Sequence, residues 1–296
     1  MNTPIVIFGY RRSKNLEVVL KKVSAVQPTN VYIFLDGSKG NEDKNDCKET
    51  QRVARKFLRH GWKLTISPKN NGLKESITAG LNMVFAKETK AIILEDDCVP
   101  DNSFFRYASE LLKKYQNNLK IAAITGSNPV AQKSTNSYLF SNFFNGWGWA
   151  TWRRAWKAFH PEKSIGEKEI VSLLSSHFPK DWFSRWYWQH ILELTSTGII
   201  STWDYLWQYH LWESNSLTIV PCVNLVQNTG FATGATNTHL AGTKLKQRAL
   251  KINFPLNHPQ NIKVNLKHEN SRIKVSYCTP IAVLGLIHQI MRSWIS

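Results

Sequence analysis

Cysteine is scarce and scattered: Cys47, Cys98, Cys222 and Cys278 stand far apart, with no C-x-x-C pair among them. This excludes the ligand spacing of a zinc ribbon and the density of a disulfide scaffold, so a reducing cytoplasm is the expected compartment. No run of about 18 apolar residues is present, and no transmembrane helix is expected. The opening MNTPIVIFGYRR carries an apolar stretch too short and too early for a signal peptide. No short repeat is evident. Acid is scarce as well, with 21 Asp and Glu against 38 Lys and Arg, a formal charge of +17. Such a surface attracts nucleic acid, nucleotide phosphates or anionic lipid head groups, and charge alone does not choose among them.

What is present suffices for a core. With 296 residues, 42% of them hydrophobic, the chain is not disordered and fits one large α/β domain or two smaller ones. Pro4 to Phe8 is an apolar run closed by Gly9, and Leu16, Val19, Leu20 and Val23 follow at helical spacing. VYIFLD (31–36), WKLTIS (62–67), AIIL (91–94) and IAAIT (121–125) read as further buried strands, with helices around 53–58, 73–84 and 104–112 between them. Alternating helices and non-alternating apolar strands imply an α/β fold whose mostly parallel, Rossmann-like sheet is covered on both faces. Ligands bind such sheets at the carboxyl ends of the strands. Gly9-Tyr10-Arg11-Arg12, Asp36-Gly37-Ser38 and Glu95-Asp96-Asp97 all fall there, and for each an ordinary turn is the alternative.

After residue 126 the composition changes, and ten of the twelve tryptophans lie between Trp147 and Trp212. From about 243 it changes again: residues 243–276 carry eight Lys or Arg against one Glu, and the chain ends in TPIAVLGLIHQIMRSWIS. That last stretch is a little short to span a bilayer and suits an interfacial helix, or equally a helix docked on the domain. The divisions expected are 1–125, 126–242 and a basic extension over 243–296 with an amphipathic, apolar end.

The adjacent carboxylates of Glu95, Asp96 and Asp97 repel one another unless a cation, basic side chains or water compensates. Hard Mg²⁺ or Mn²⁺ prefers such oxygens and keeps positions open for phosphate, so an ion here would bridge protein and a nucleoside diphosphate. A strand followed by EDD resembles the DXD-type motif of glycosyltransferases with the GT-A fold, and is most similar to the N-acetylglucosaminyltransferase I type. NNGLKESITAGLN (70–82) is similar to the Asn-Gly-led helix before the metal strand of that superfamily, and IFLDGSKG resembles its uracil-contacting strand end. NGWGWATWRRAW (145–156) resembles the acceptor-side loop, TWDYLW (202–207) the segment of the catalytic acid, and NTGFATGATNTH (228–239) the closing loop. The resemblance runs in order over about residues 3–240. Tyr205 and Leu206 depart from an acid-rich stretch expected after the catalytic position, which leaves donor sugar and acceptor open.

The resemblance implies a metal-dependent transfer from a UDP-sugar to a hydroxyl of a glycan or lipid-linked saccharide. Asp97 would hold Mn²⁺ or Mg²⁺, Asp96 would approach the ribose or a metal-bound water, and Glu95 the donor hydroxyls. Gly9, Tyr10, Arg11 and Arg12 would line the diphosphate, Gly72 would open the donor-side helix, and Asp36 would read the uracil imide. Asp204 matches the base of an inverting transfer, since an attacking hydroxyl must lose its proton; a purely structural helix cap is its alternative. His239 would join the metal shell. Gly146, Trp147, Gly148 and Trp149 would contact acceptor or donor sugar, while most other tryptophans read as core.

Three rivals are weighed. A sugar nucleotidyltransferase shares the layout, but GYRRSKN is not its glycine-rich opening loop. A Trp-rich lectin leaves EDD unexplained. A nucleic-acid-binding module would use the charge, yet basic residues and aromatics are not interleaved in a recognisable signature, so no nucleic-acid partner is expected. Peripheral contact with the cytoplasmic face of an anionic membrane is the partner the basic tail suggests.

Overall fold

The computed structural model describes residues 1–130, 134–230, 248–277 and 279–293. Each apolar run of the first 125 residues forms a strand: β1 (Ile5–Gly9), β2 (Val31–Leu35), β3 (Trp62–Ile66), β4 (Lys90–Glu95) and, after the short β5 (Cys98–Pro100), β6 (Ile121–Thr125). Helices α1 (Ser13–Ala25), α2 (Lys44–Phe57), α3 (Leu73–Lys87) and α4 (Asn102–Lys114) connect them. β7 (Tyr138–Ser141) and β8 (Trp149–Trp152) come next, then α5 (Arg153–Ala158), α6 (Glu167–His177), α7 (Trp182–Ser196) and α8 (Asp204–Glu213). The remaining described elements are β9 (Leu217–Pro221), β10 (Val226–Asn228), α9 (Leu266–Ser276) and α10 (Pro280–Ser293).

Eight strands make one mixed sheet in the order β3-β2-β1-β4-β8-β6-β9-β7. β3, β2, β1 and β4 are parallel neighbours, as the strand–helix alternation predicts. β8 then enters antiparallel between β4 and β6, which the periodicity does not announce. β10 pairs with β5 in a separate antiparallel ribbon.

The pleat sorts side chains between two cores. Ile5 and Ile7 of β1 join Leu16, Val19, Leu20 and Val23 of α1 on one face, with residues of α2 and α4. Val6 and Phe8 join Ile77, Leu81 and Val84 of α3 on the other, with residues of α5 to α8. In β6 the alternation slips: Ile121 and Ile124 lie on the first face and Ala122 and Ala123 on the second, where the register shifts against β9. An extra residue in a bulge has this effect.

The tail is packed into the domain. Ile252 and Leu256 are buried, and Val264 bridges to Phe140 of β7. α9 buries His268, Glu269 and Arg272. Glu269 accepts from Ser141 Oγ (2.6 Å) and the Asn142 amide (3.2 Å), and Arg272 Nη2 donates to the Phe144 carbonyl (2.5 Å). α10 lies on α7. No helix among the described residues is long and apolar enough to cross a membrane.

Candidate active site

In β4, Ile92 and Leu94 face the first core and Ala91 and Ile93 the second, so parity turns Glu95 toward the second face, from which α8 rises. Asp96 and Asp97 form the turn that follows. Gly9 ends β1 beside this turn: a Cβ there would meet Leu35 Cδ2 at 3.0 Å and Asp96 Cβ at 3.4 Å. The Tyr10 amide donates to Asp96 Oδ2 at 3.2 Å. Arg12, the residue before α1, places Nη1 2.5 Å from Asp97 Oδ2 and 3.5 Å from Asp96 Oδ1. β10 lays Asn228 against Cys98 and carries the chain over the acids. There Thr229 donates its amide (2.8 Å) and hydroxyl (3.1 Å) to the Asp97 carbonyl and accepts from Asn15 Nδ2 (3.0 Å). A Cβ at Gly230 would meet Asp97 Oδ2, so any other residue there would have to displace that carboxylate.

Electrostatics follow from burial. Asp96 is nearly inaccessible, and desolvation together with the Asp97 charge pushes its pKa up to about 8 against the opposing pull of Arg12. Burial also raises Glu95 well above the usual carboxylate range, helped by Asp97, Asp96 and Asp204. Burial disfavours the Arg12 charge, but Asp96 and Asp97 outweigh it and the guanidinium is held more firmly protonated. Asp204 begins α8, half-buried, close enough for its charge to act on Glu95. Burial raises its pKa, opposed by a hydrogen bond from Thr202 Oγ1 to Oδ1 (2.5 Å) and by the Tyr205 amide (3.1 Å).

The structure thus brings together Gly9, Tyr10, Arg12, Glu95, Asp96, Asp97 and Asp204. Arg11 points elsewhere, exposed above the Tyr10 ring at 5.7 Å. The Tyr10 hydroxyl bonds Asp43. Asp36 is buried and accepts from the amides of Gly37 (3.0 Å), Asn71 (2.9 Å) and Gly72 (3.0 Å), clamping the end of β2 to the start of α3. Gly72 precedes α3 with φ +84°, a conformation glycine adopts without strain.

Trp149 requires a correction. Expected on sugar, it is 1% exposed within β8, its ring stacked on Trp203 at 5.1 Å. A ring closed off on all sides serves the fold. Trp147 is only half-buried, and its amide donates to Asn145 Oδ1 (3.1 Å). Gly146 packs near Trp203, and Gly148, at φ +66°, leaves space that a Cβ would take from Val226. His239 and most of the stretch read as a closing loop lie outside the described residues. Periodicity and motif spacing pass over Asn15 and the α9 trio, because each reaches its place through pairing of distant segments; Thr229 falls in the stretch read as a closing loop, but its bond to Asp97 does not show there.

Among the described residues, no group of three or more His, Cys, Asp or Glu could hold a metal by itself. The donors at the β4 turn are carboxylate oxygens, which suit a hard divalent ion that completes its shell with water and phosphate oxygens. That the buried carboxylates attract a cation is visible in the Arg12 contact.

No protein-family model matches the sequence, and no curated protein matches it. Solved structures with a similar arrangement include a mannosyltransferase from Pyrobaculum calidifontis in complex with GDP-Man and Mn²⁺, at 12% identity and TM-score 0.41, covering 71% of this chain and 69% of that one. A 4-diphosphocytidyl-2C-methyl-D-erythritol synthase from Anaerococcus prevotii gives 11% identity and TM-score 0.39, covering 74% and 88%. The apo glycosyltransferase GlyE of Streptococcus pneumoniae gives 12% identity and TM-score 0.33; 74% of this chain is covered and 45% of that longer one. At these identities and scores the likenesses carry no functional statement to this chain.

Proposed function

We propose that the chain transfers a sugar, hexosyl or N-acetylhexosaminyl, from a UDP carrier to a hydroxyl of a glycan or lipid-linked saccharide, with inversion. One observation carries the reading: a buried, cation-seeking pair of carboxylates at the β4 turn stands near a separate acid, Asp204, at the start of α8. Transfer from a nucleoside diphosphate needs these two kinds of group. Negative charge growing on the leaving diphosphate has to be neutralised, and a proton has to leave the attacking hydroxyl.

Asp97, with Asp96 beside it, would hold Mn²⁺ or Mg²⁺, which when bound supplies Lewis-acid stabilisation of the diphosphate. Glu95, within reach of the Asp204 charge, would orient donor hydroxyls. Asp204 accepts the proton at a carboxylate oxygen; its raised pKa makes it a stronger base than an exposed aspartate. Arg12 supplies a planar donor to phosphate oxygens. Thr229 holds the end of β10 against the Asp97 carbonyl, which fixes the turn that carries the acids. A lectin reading loses support, since Trp149, Trp188, Trp203, Trp207 and Trp212 are all buried.

Contact with an anionic membrane is proposed for α10. Leu286 is buried on the domain, whereas Leu284, Ile287 and Met291 form an outward apolar stripe and Leu284 is 64% exposed. Deleting residues 279–296 should abolish binding to anionic liposomes; loss of activity on a soluble acceptor with liposome binding retained would assign α10 to docking alone.

The function is tested by screening UDP- and GDP-sugars for Mn²⁺-dependent hydrolysis and transfer. Asp97→Ala should lose the metal response. Asp204→Asn should keep donor binding and lose transfer by about 10²–10⁴-fold. Transfer surviving in both variants would remove the assignment.

A further inference from the structure

Arg12 sits where a cation would have to go. A divalent ion lies about 2.0–2.1 Å from a carboxylate oxygen, whereas the guanidinium nitrogen already stands 2.5 Å from Asp97 Oδ2. Both on the same oxygen would set like charges within about 4 Å of each other at a turn mostly shielded from water. Asp97 Oδ1 is turned toward the Cys98 thiol at 3.5 Å. Arginine and ion therefore compete for Oδ2.

A nucleotide diphosphate would offer a displaced Arg12 an anion matched to its donors. The charges that act on it are Asp96, Asp97 and Glu95, the same three groups the ion would neutralise. α1, which it precedes, has no acidic residue in its first turn and no side-chain cap. A diphosphate bridging to the ion would lie next to it and match its forked donors.

We infer that Arg12 is an internal counter-cation that competes with the divalent ion for Asp97 and transfers to the nucleotide diphosphate when both ligands bind, coupling the two binding events through one side chain. The inference rests on the nucleotide-sugar reading above. It assigns Arg12 a role in the empty site as well as in the loaded one: it keeps the buried carboxylates paired until donor and ion arrive together.

Binding measured without turnover tests it. Free Mn²⁺ is followed by its electron paramagnetic resonance signal as protein is titrated, with and without saturating UDP, for the wild-type chain, Arg12→Gln, Arg12→Lys and Lys14→Gln. The wild type should bind Mn²⁺ weakly alone and more tightly with UDP, by about 5–150-fold. Arg12→Gln should tighten Mn²⁺ binding in the absence of UDP at least about fivefold and shrink the UDP enhancement by a similar factor. Lys14→Gln, which removes the same charge from the exposed side of α1, should leave both within about twofold. Unchanged or weaker Mn²⁺ binding by Arg12→Gln, or an equal gain in Lys14→Gln, overturns the competition. Should Arg12→Gln fail to fold, Arg12→Lys decides: the retained cation keeps Mn²⁺ alone weak, while loss of the fork lowers the UDP enhancement. An undiminished enhancement there also overturns the inference. If no protein binds either Mn²⁺ or UDP, the nucleotide-sugar reading itself falls, a result distinct from binding that Arg12 does not influence.

Discussion

One face of the sheet is packed mainly with aliphatic side chains of α1, α2 and α4, and the other with the rings of α5 to α8. The aliphatic face repeats small, interchangeable units at regular spacing. The aromatic face is a continuous mass in which Trp149, Trp156, Trp203 and Trp207 touch one another. The candidate site spans the seam between them: Arg12 comes from the side of α1, Asp204 from the side of α8, and the acids lie on the sheet edge between. The contrast assigns different tasks to the two packings. Aliphatic residues stabilise the frame, and the interlocked rings also fix where α8, which begins with Asp204, starts.

The largest effect expected from breaking this contrast is at Trp207, fully buried against five rings. Trp207→Ala should lower unfolding free energy by about 3–5 kcal/mol in urea titration. It should also reduce transfer per folded molecule, because Asp204 lies one helical turn away on α8. Leu111→Ala, equally buried on α4, should cost about 2–5 kcal/mol. Its transfer rate per folded molecule should match wild type; an equal loss in both variants would erase the distinction between the faces.

Smaller effects sharpen it. Asp101 caps α4 by accepting from the Ser103 amide at 2.9 Å, so Asp101→Ala should cost about 1 kcal/mol with no change in transfer. At the seam, Thr202→Val removes the hydroxyl that favours ionised Asp204. If Asp204 is the proposed base it works only when ionised, and transfer would fall as pH drops through its pKa. Without Thr202 that pKa rises, and the acid limb of the kcat/KM profile should move to higher pH. A limb that stays in place, or moves lower, would detach Asp204 from proton removal.

Much of the frame is legible in the chain order. Strands β1 to β4 and β6 and helices α1 to α4 each bury a pattern that lies within a single element, so local spacing reveals them. The acid triplet is legible too, because it directly follows an apolar strand. Trp149 misleads: its glycine neighbours suggest a ligand loop, while β8 inserts antiparallel beside β4 and seals the ring in the core. Asp36 looks like an open strand-end acceptor, yet three amides from the loops beside it converge on its carboxylate. The basic tail reads as an appendage, but its Glu269 and Arg272 are buried on residues 141–144 and its buried His268 bonds Asn128.

The sequence by itself determined the alternation of strands and helices, the two-faced core and the placement of three acids at a strand end. These follow from hydrophobic periods of two and 3.6 residues, which act over one element at a time. Only the tertiary structure decided that Arg12 neutralises Asp97, that Gly230 lies beside it and that Asp204 comes close enough for its charge to act on Glu95. Those pairings join residues about 85 to 135 positions apart in chain order, and they arise from strand order and burial, which no local pattern encodes.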